Sequence, residues 1–174
     1  MTGGNGPGDT FYHFARELLA HAMTQAPAKD TDRYWEAIEE GETWTVERAR
    51  TVTEADIINF AGVSGDFHPA VVSKPYAEEK FGGLIAHGHL VATLAESIVA
   101  DLNPKAFTYG HDSVRFPNPT MVDDTLTVHR EVIDTAVHSD QYGRVDYQYE
   151  AENQDGETVC VFEHLTLVDR EPEA

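Results

Sequence analysis

Positive charge is scarce in this sequence. The 174 residues include 12 Lys and Arg, of which four are Lys, against 31 Asp and Glu, and the formal net charge is −19. That excess repels the phosphates of nucleic acids and of anionic lipids, so we expect neither a nucleic-acid partner nor a membrane partner. An acidic surface with little lysine is tolerated best where concentrated salt screens it, and it therefore predicts a halophilic source.

Cysteine and long apolar runs are also lacking. The single cysteine, Cys160, excludes an intrachain disulfide and fits a reducing compartment; its apolar neighbours predict a buried strand position. Residues 1–9 are Gly-rich and do not have the cationic start and apolar core of an export signal. No apolar run approaches the roughly 20 residues that span a bilayer. These absences favour a cytoplasmic protein.

Apolar residues are nevertheless abundant enough for one folded domain. Hydrophobic residues make up 41% of the chain and include 2 Trp, 7 Tyr and 8 Phe, so the negative charge belongs to the surface of a folded protein. We divide the chain into an N-terminal extension, residues 1–41, and one domain, residues 42–174. In the extension, apolar side chains at helical spacing predict an amphipathic helix over residues 10–25 that docks on the domain or on a partner subunit.

The pattern of elements in the domain predicts the α+β class. Residues 42–51 form a predicted strand, Thr53 is a predicted cap of a helix that ends between Gly62 and Gly65, and residues 76–80 form a short helix. The run from residue 87 to 102 is apolar around most of its circumference, which indicates a buried helix. Predicted strands follow at residues 109–116, 125–137, 144–152 and 157–168, with turns at Gly143 and at residues 153–156. An antiparallel sheet wrapped around one helix is the expected plan.

One loop organises this domain. Residues 64–71 read Ser-Gly-Asp-Phe-His-Pro-Ala-Val, where Gly65 and Pro69 interrupt regular structure around a single carboxylate, Asp66. A carboxylate in such a loop is a candidate general base. Further along, Gly88 opens the long apolar helix, and the amide of a glycine at a helix N-terminus can bind a developing oxyanion.

These segments resemble the MaoC-like branch of the hotdog-fold (R)-specific enoyl-CoA hydratases and dehydratases. Residues 121–126 resemble the family more loosely, with Val122 and Asp123 in place of the family's Pro and Gly. The resemblance covers residues 43–168 and implies a single hotdog domain, in which the sheet wraps a central helix. The matching residues are Phe60-Ala61, Ser64-Gly65-Asp66, His68-Pro69, Tyr76-Ala77, Phe81-Gly82 and Ile85-Ala86-His87-Gly88.

The family's second catalytic residue is missing. It is a histidine five residues after the aspartate, and Val71 occupies that position here. His68 is the only imidazole in the loop. It has three interpretations: a structural hydrogen-bonding residue, a displaced acid/base partner of the aspartate, and a metal ligand.

The resemblance implies reversible addition of water to a 2-enoyl thioester. Asp66 would be the general base, the Gly88 amide would bind the thioester oxygen, and His87 would belong to the same substrate-binding segment. The substrate would be an acyl-CoA, such as mesaconyl-CoA or a short-chain enoyl-CoA. No separate cofactor is expected, because coenzyme A is part of the substrate. No metal site is expected either, because His87 and His89 diverge on a helix and the remaining histidines show no metal-binding motif.

Two other functions remain open at this stage. Because Val71 stands in place of one of the family's two catalytic residues, the protein could be a non-catalytic subunit that binds acyl-CoA. It could also be a thioesterase, since some hotdog thioesterases use an acid on the central helix. Glu96 is the acid available there, although a single Glu in that position is more often exposed to solvent or at a subunit contact. The resemblance further implies a homodimer or a higher homo-oligomer with acyl-CoA tunnels between subunits.

Overall fold

The computed structural model describes residues 32–100 and 102–172. The helix predicted at residues 10–25 lies outside these ranges, as does most of the extension. Within the described ranges, no helix is both long and apolar enough to cross a membrane.

Five antiparallel strands form a single sheet in the order β1-β3-β4-β5-β2. The strands β3, β4 and β5 follow one another as neighbouring hairpins, while β1 and β2 occupy the two edges. Their bounds are Thr43–Thr51 for β1, Ala106–Arg115 for β2, Thr125–Val137 for β3, Tyr142–Glu152 for β4 and Thr158–Asp169 for β5.

The sheet curves around one buried helix, which we call α4. This helix spans Gly88–Val99 and buries Leu90, Val91, Leu94 and Ala95. Along β4, buried and partly buried residues alternate strictly, so every second side chain points to the core as the period of a strand requires. The buried set of β4 lies in the same apolar core as the helix. The protein therefore has the α+β hotdog fold that the sequence indicated.

Three shorter helices connect β1 to α4. They are α1 (Glu54–Ser64), α2 (Pro69–Val72) and α3 (Lys74–Phe81). The predicted cap of α1 is confirmed as a capping box: the Asp56 amide donates to Thr53 Oγ1 at 3.2 Å, and the Thr53 amide donates to Asp56 Oδ2 at 2.9 Å. The helix ends at Gly65, whose φ of +77° is a left-handed conformation that glycine adopts without strain.

One predicted turn is wrong. Gly143 lies inside β4, opposite Val137 of β3 and Val168 of β5. The ring of Trp35 covers it so closely that a Cβ at this position would lie 2.0 Å from Trp35 Cγ. The Trp35 indole also donates to the carbonyl of Arg144 at 3.2 Å. Glycine is present here because an aromatic ring packs on the backbone, which the sequence pattern does not distinguish from a turn.

Candidate active site

The loop that carries Asp66 is held by its own side chains. Ser64 Oγ donates to the carbonyl of Phe60 at 2.8 Å and accepts from the Asp66 amide at 3.2 Å. Asp66 Oδ1 accepts from the amide of His68 at 3.1 Å. The Asp66 side chain is 59% exposed, so its carboxylate is oriented by the loop and still open to a ligand.

His68 caps the one-turn helix α2. Its Nδ1 accepts a hydrogen bond from the Ala70 amide at 3.1 Å, and its ring meets Tyr76 edge-on at a centroid distance of 6.1 Å. Because Nδ1 is the acceptor, the proton of the neutral ring lies on Nε2. These contacts favour the structural interpretation of His68 over the other two.

His87 connects the loop to the central helix. Its Nε2 lies 2.9 Å from the carbonyl oxygen of Asp66 and 3.9 Å from Asp66 Oδ2. A carbonyl only accepts, so Nε2 carries a proton. The Nδ1 atom of the same ring is buried and has no hydrogen-bond partner among the described residues. The side chain is 5% exposed and packs on the ring of Phe60, with centroids 5.1 Å apart.

Gly88 is the first residue of α4, so its N–H has no acceptor within the helix. The ring of Phe116 lies against it, and a Cβ at this position would approach Phe116 Cδ2 to 2.5 Å. The segment before it is fixed by backbone bonds: the Ala86 amide donates to the Thr120 carbonyl at 2.8 Å, and the Ile85 amide to the Ala70 carbonyl at 3.2 Å. The chain is thus held where only glycine fits.

The five residues that the sequence assigned to the hydratase site, Asp66, His68, Val71, His87 and Gly88, line one cleft of about 490 Å³. Gly88 lies at the start of α4. The polar side chains of the cleft are Ser64, Asp66, His68, His87 and His89. Val71 is only 4% exposed and belongs both to the cleft wall and to the apolar core. The cleft therefore combines one exposed carboxylate and a helix N-terminus with a largely apolar wall.

A second polar cluster was missed by sequence reasoning. Glu96 of α4 lies 3.1 Å from His111 of β2 and 3.6 Å from His164 of β5. The Glu96 side chain is 27% exposed and faces these two histidines of the sheet. It is therefore less exposed than a solvent-facing Glu on the central helix would be. The two histidines are directly paired across the β2–β5 ladder. No local motif reveals this cluster, because the ladder register alone brings residues 111 and 164 together.

Burial governs the ionisation of one cluster member. The pKa of His164 is lowered, first by burial and then by the nearby His111 and Arg130, while Glu96 opposes the shift. His164 is therefore neutral near pH 7. One of its ring nitrogens carries a proton, and the other presents a lone pair.

Comparison with known proteins places the chain among relatives of similar sequence. It is 37% identical over 99 residues to Protein MaoC of Klebsiella aerogenes, covering 55% of this chain and 29% of that protein. It is 36% identical over 96 residues to the (R)-specific enoyl-CoA hydratase of Rhodospirillum rubrum, covering 54% of this chain and 65% of that protein. The chain thus spans less than two thirds of the length of either relative.

A solved structure and a family profile agree with these matches. The monoamine oxidase regulatory protein from Archaeoglobus fulgidus superposes with a TM-score of 0.74 at 30% identity, covering 83% of this chain and 99% of that one. The profile described as the MaoC like domain matches residues 37–154, well over half of the chain. The match includes the whole Asp66 loop, α4 and the sheet up to the end of β4, and the chain belongs to the MaoC-like domain family.

Proposed function

We propose that this protein catalyses the reversible addition of water to the 2,3-double bond of a 2-enoyl-CoA thioester. The observation that carries the proposal is the hydrogen bond from His87 to the Asp66 carbonyl, which joins the loop of the candidate base to the residue before the candidate oxyanion donor, Gly88. The relative from Rhodospirillum rubrum, named an (R)-specific enoyl-CoA hydratase, supports the same reaction class.

The chemistry that we propose uses two groups of the cleft. The Asp66 carboxylate takes a proton from water while the water oxygen attacks C3. The Gly88 N–H stabilises the negative charge that develops on the thioester oxygen. Protonated Asp66 then delivers its proton to C2, which leaves a 3-hydroxyacyl-CoA and restores the carboxylate. The reverse sequence is the dehydration.

Val71 leaves the proposed site with one catalytic side chain fewer than the family pattern has. Its methyl groups occupy the cleft wall at the position of the second catalytic histidine, so the attacking water has one side-chain partner fewer. Loss of one acid/base group typically costs about 10² to 10⁴ in rate, which still permits a slow hydratase. The same residue favours a second candidate function, a non-catalytic subunit that binds acyl-CoA.

Coenzyme A carries phosphates, and a cation borders the cleft. Lys80 of α3 lies 5.6 Å from the ring centroid of Phe81, a cleft residue, and its Nζ is 3.3 Å from Tyr76 Oη. We propose that Lys80 contacts these phosphates. Lys80→Gln should then raise KM for crotonyl-CoA but not for crotonyl-pantetheine, which has no phosphate. An equal change with both substrates would contradict a phosphate contact.

The decisive experiment compares the wild type with Asp66→Asn on crotonyl-CoA and mesaconyl-CoA in molar KCl. We expect measurable hydration that Asp66→Asn abolishes, because an amide cannot take the proton. Asp140→Asn, an exposed aspartate in the β3–β4 turn, is the matched control. Absence of hydration by the wild type, together with acyl-CoA binding that Asp66→Asn leaves unchanged, would favour the binding subunit.

The thioesterase alternative is tested in the same reactions by measuring released thiol. The protein contributes no background, because Cys160 is fully buried and burial raises its pKa to about 12. Thiol release that Glu96→Gln abolishes and Asp66→Asn does not would favour a thioesterase.

We also propose that the protein forms a homodimer through the edge of its sheet. Strand β2 is an edge strand and exposes Phe107 and Tyr109, which are 48% and 56% exposed. An edge strand with exposed aromatic side chains is a surface for pairing. Light scattering in molar KCl should give a dimer that Tyr109→Glu dissociates and Ile133→Glu, on β3, does not. A stable wild-type monomer would contradict this assembly.

A further inference from the structure

The Glu96 cluster presents three metal-binding atoms to one another, away from the Asp66 cleft. One ligand atom each from Glu96, His111 and His164 lies within 4.8 Å of the other two. The imidazole rings are stacked, with centroids 4.7 Å apart and planes 9° from parallel. Both Nε2 atoms face the same carboxylate, at 3.1 Å from Oε2 and 3.6 Å from Oε1. The cluster spans three elements: α4, β2 and β5.

These separations fit the dimensions of a tetrahedral ion. With metal–ligand bonds of about 2.0 to 2.1 Å, adjacent ligand atoms of a tetrahedral zinc site lie about 3.3 Å apart. His111 Nε2 lies 3.1 Å from Glu96 Oε2 and His164 Nε2 lies 3.6 Å from Glu96 Oε1, so each imidazole is at about this separation from one oxygen of the carboxylate. The widest separation within the set of three ligand atoms is at most 4.8 Å, so a small movement of the side chains brings all three to one ion.

The surroundings of the cluster leave one coordination position open. His164 is 9% exposed at its side chain, whereas His111 is 35% exposed and gives access from solvent. A cavity of about 160 Å³ adjoins Glu96 and His164 and leaves room for a water ligand. Two imidazoles and one carboxylate suit zinc and similar divalent transition metals, whereas Mg²⁺ and Ca²⁺ prefer oxygen ligands alone.

We infer that Glu96, His111 and His164 bind a divalent transition-metal ion, with Zn²⁺ as the best-fitting probe. The bound ion ties the C-terminal half of the central helix to strands β5 and β2. Binding of an ion to the folded state alone stabilises that state, so zinc should raise the unfolding temperature. This inference does not depend on the proposed hydratase activity.

The test uses full-length protein without an affinity tag, stripped with EDTA, dialysed and titrated with Zn²⁺ against a chromogenic chelator in molar KCl. We expect one ion per chain, with at least a tenfold loss of affinity in each of Glu96→Gln, His111→Ala and His164→Ala. The zinc-induced rise in unfolding temperature should be lost in the same three variants. Co²⁺ should give the intense visible absorption of a tetrahedral site in the wild type and not in these three variants.

Two variants serve as matched controls. His129 lies 3.8 Å from Glu152, a His–Glu pair on β3 and β4, so His129→Ala should leave the zinc affinity unchanged. The Thr108 hydroxyl lies 3.0 Å from His164 Nε2 and competes for that nitrogen, so Thr108→Val should keep or increase the affinity.

Three outcomes would overturn the inference. One is the absence of saturable zinc binding to the wild type. Another is binding that survives in His111→Ala and His164→Ala, which would place the ion elsewhere on the chain. The third is an equal rise in unfolding temperature with Mg²⁺, which would mean that the ion only screens negative charge.

Discussion

His87 Nε2 donates a hydrogen bond to the carbonyl oxygen of Asp66, 21 residues earlier in the chain. This bond, together with the backbone bond from the Ile85 amide to the Ala70 carbonyl, holds the loop that carries the candidate base against the start of the central helix. His87 contacts the loop backbone, so we regard it as a positioning residue.

His87→Phe keeps the aromatic packing on Phe60 but removes the donor. We expect a fall in kcat of about 10²-fold with a smaller change in KM, because a displacement near 1 Å of a positioned group costs about that much. His87→Gln retains a side-chain N–H and should recover part of kcat. Thermal unfolding checks that both variants fold. Full activity of His87→Phe would show that the bond does not position the base.

Val71→His should raise hydration activity, because it returns an imidazole to the wall of the cleft beside Asp66. A gain of about 10² to 10⁴ is expected if the acid/base contribution is restored. Asp66→Asn in the Val71→His protein should abolish the gain. Val72→His is the control, since this neighbour is 38% exposed and does not line the cleft.

His68→Ala separates the roles left open for His68. It should change hydration little in the Val71→His protein. In the present sequence it should reduce hydration strongly only if His68 has taken over the acid/base role.

The role of the Gly88 amide can be isolated from its packing. Phe116→Ala removes the ring that crowds Gly88, and in that background Gly88→Ala keeps the N–H while Gly88→Pro removes it. Proline is tolerated at the first helical position, and His87 already has the extended backbone, φ −61° and ψ 134°, that a following proline requires. The proline variant should have a kcat about 10² to 10³ lower than the alanine variant. Equal rates would leave Gly88 with a packing role alone.

Asp123 has a φ of +73° at the position where the family pattern has glycine. The left-handed conformation is unfavourable for residues that carry a Cβ, although Asp tolerates it better than most. Asp123→Gly should therefore stabilise the fold by roughly 0.5 to 1 kcal/mol, measured by urea unfolding in molar KCl. Asp155→Gly, in the turn after β4, is a control. A loss of stability in Asp123→Gly would mean that its carboxylate makes a compensating contact.

The net charge predicts salt-dependent stability. Asp112 and Glu163 lie directly opposite each other on β2 and β5, where like charges destabilise a sheet. The unfolding temperature should rise steeply between about 0.1 and 2 M KCl as screening and apolar burial strengthen. Glu163→Gln should raise it at low salt and have little effect at 2 M. A flat salt profile in the wild type would contradict the halophilic interpretation.

The parts of the fold that could be predicted are those with local causes. Strand β3 has the bounds expected from its pattern, residues 125–137, and the cap at Thr53 follows from the side chain three residues later, Asp56. The Asp66 loop and the start of α4 could be identified because glycine and proline interrupt regular secondary structure there. Each of these signals lies within a few residues of the feature that it predicts.

The parts that could not be predicted depend on partners distant in the chain. Gly143 is explained only by Trp35, and the neighbours of Glu96 are set by the register of β2 against β5. The hydrogen bond from His87 to Asp66 likewise requires the loop to fold back on the helix. A periodicity of two or 3.6 residues contains no information about such pairings.

The ring of Trp35 on Gly143 also bears on where the folding unit begins. Trp35 precedes residue 42, where the sequence predicts the start of the domain, yet its ring packs on the backbone of Gly143 in β4. The Arg33 carbonyl also accepts from Asn103 Nδ2 at 2.8 Å. A protein shortened to start at residue 42 would leave bare backbone on β4 and an amide without its acceptor. The smallest stable fragment should therefore retain the stretch from residue 32 onwards, because its Trp35 ring covers the backbone of the central strand β4.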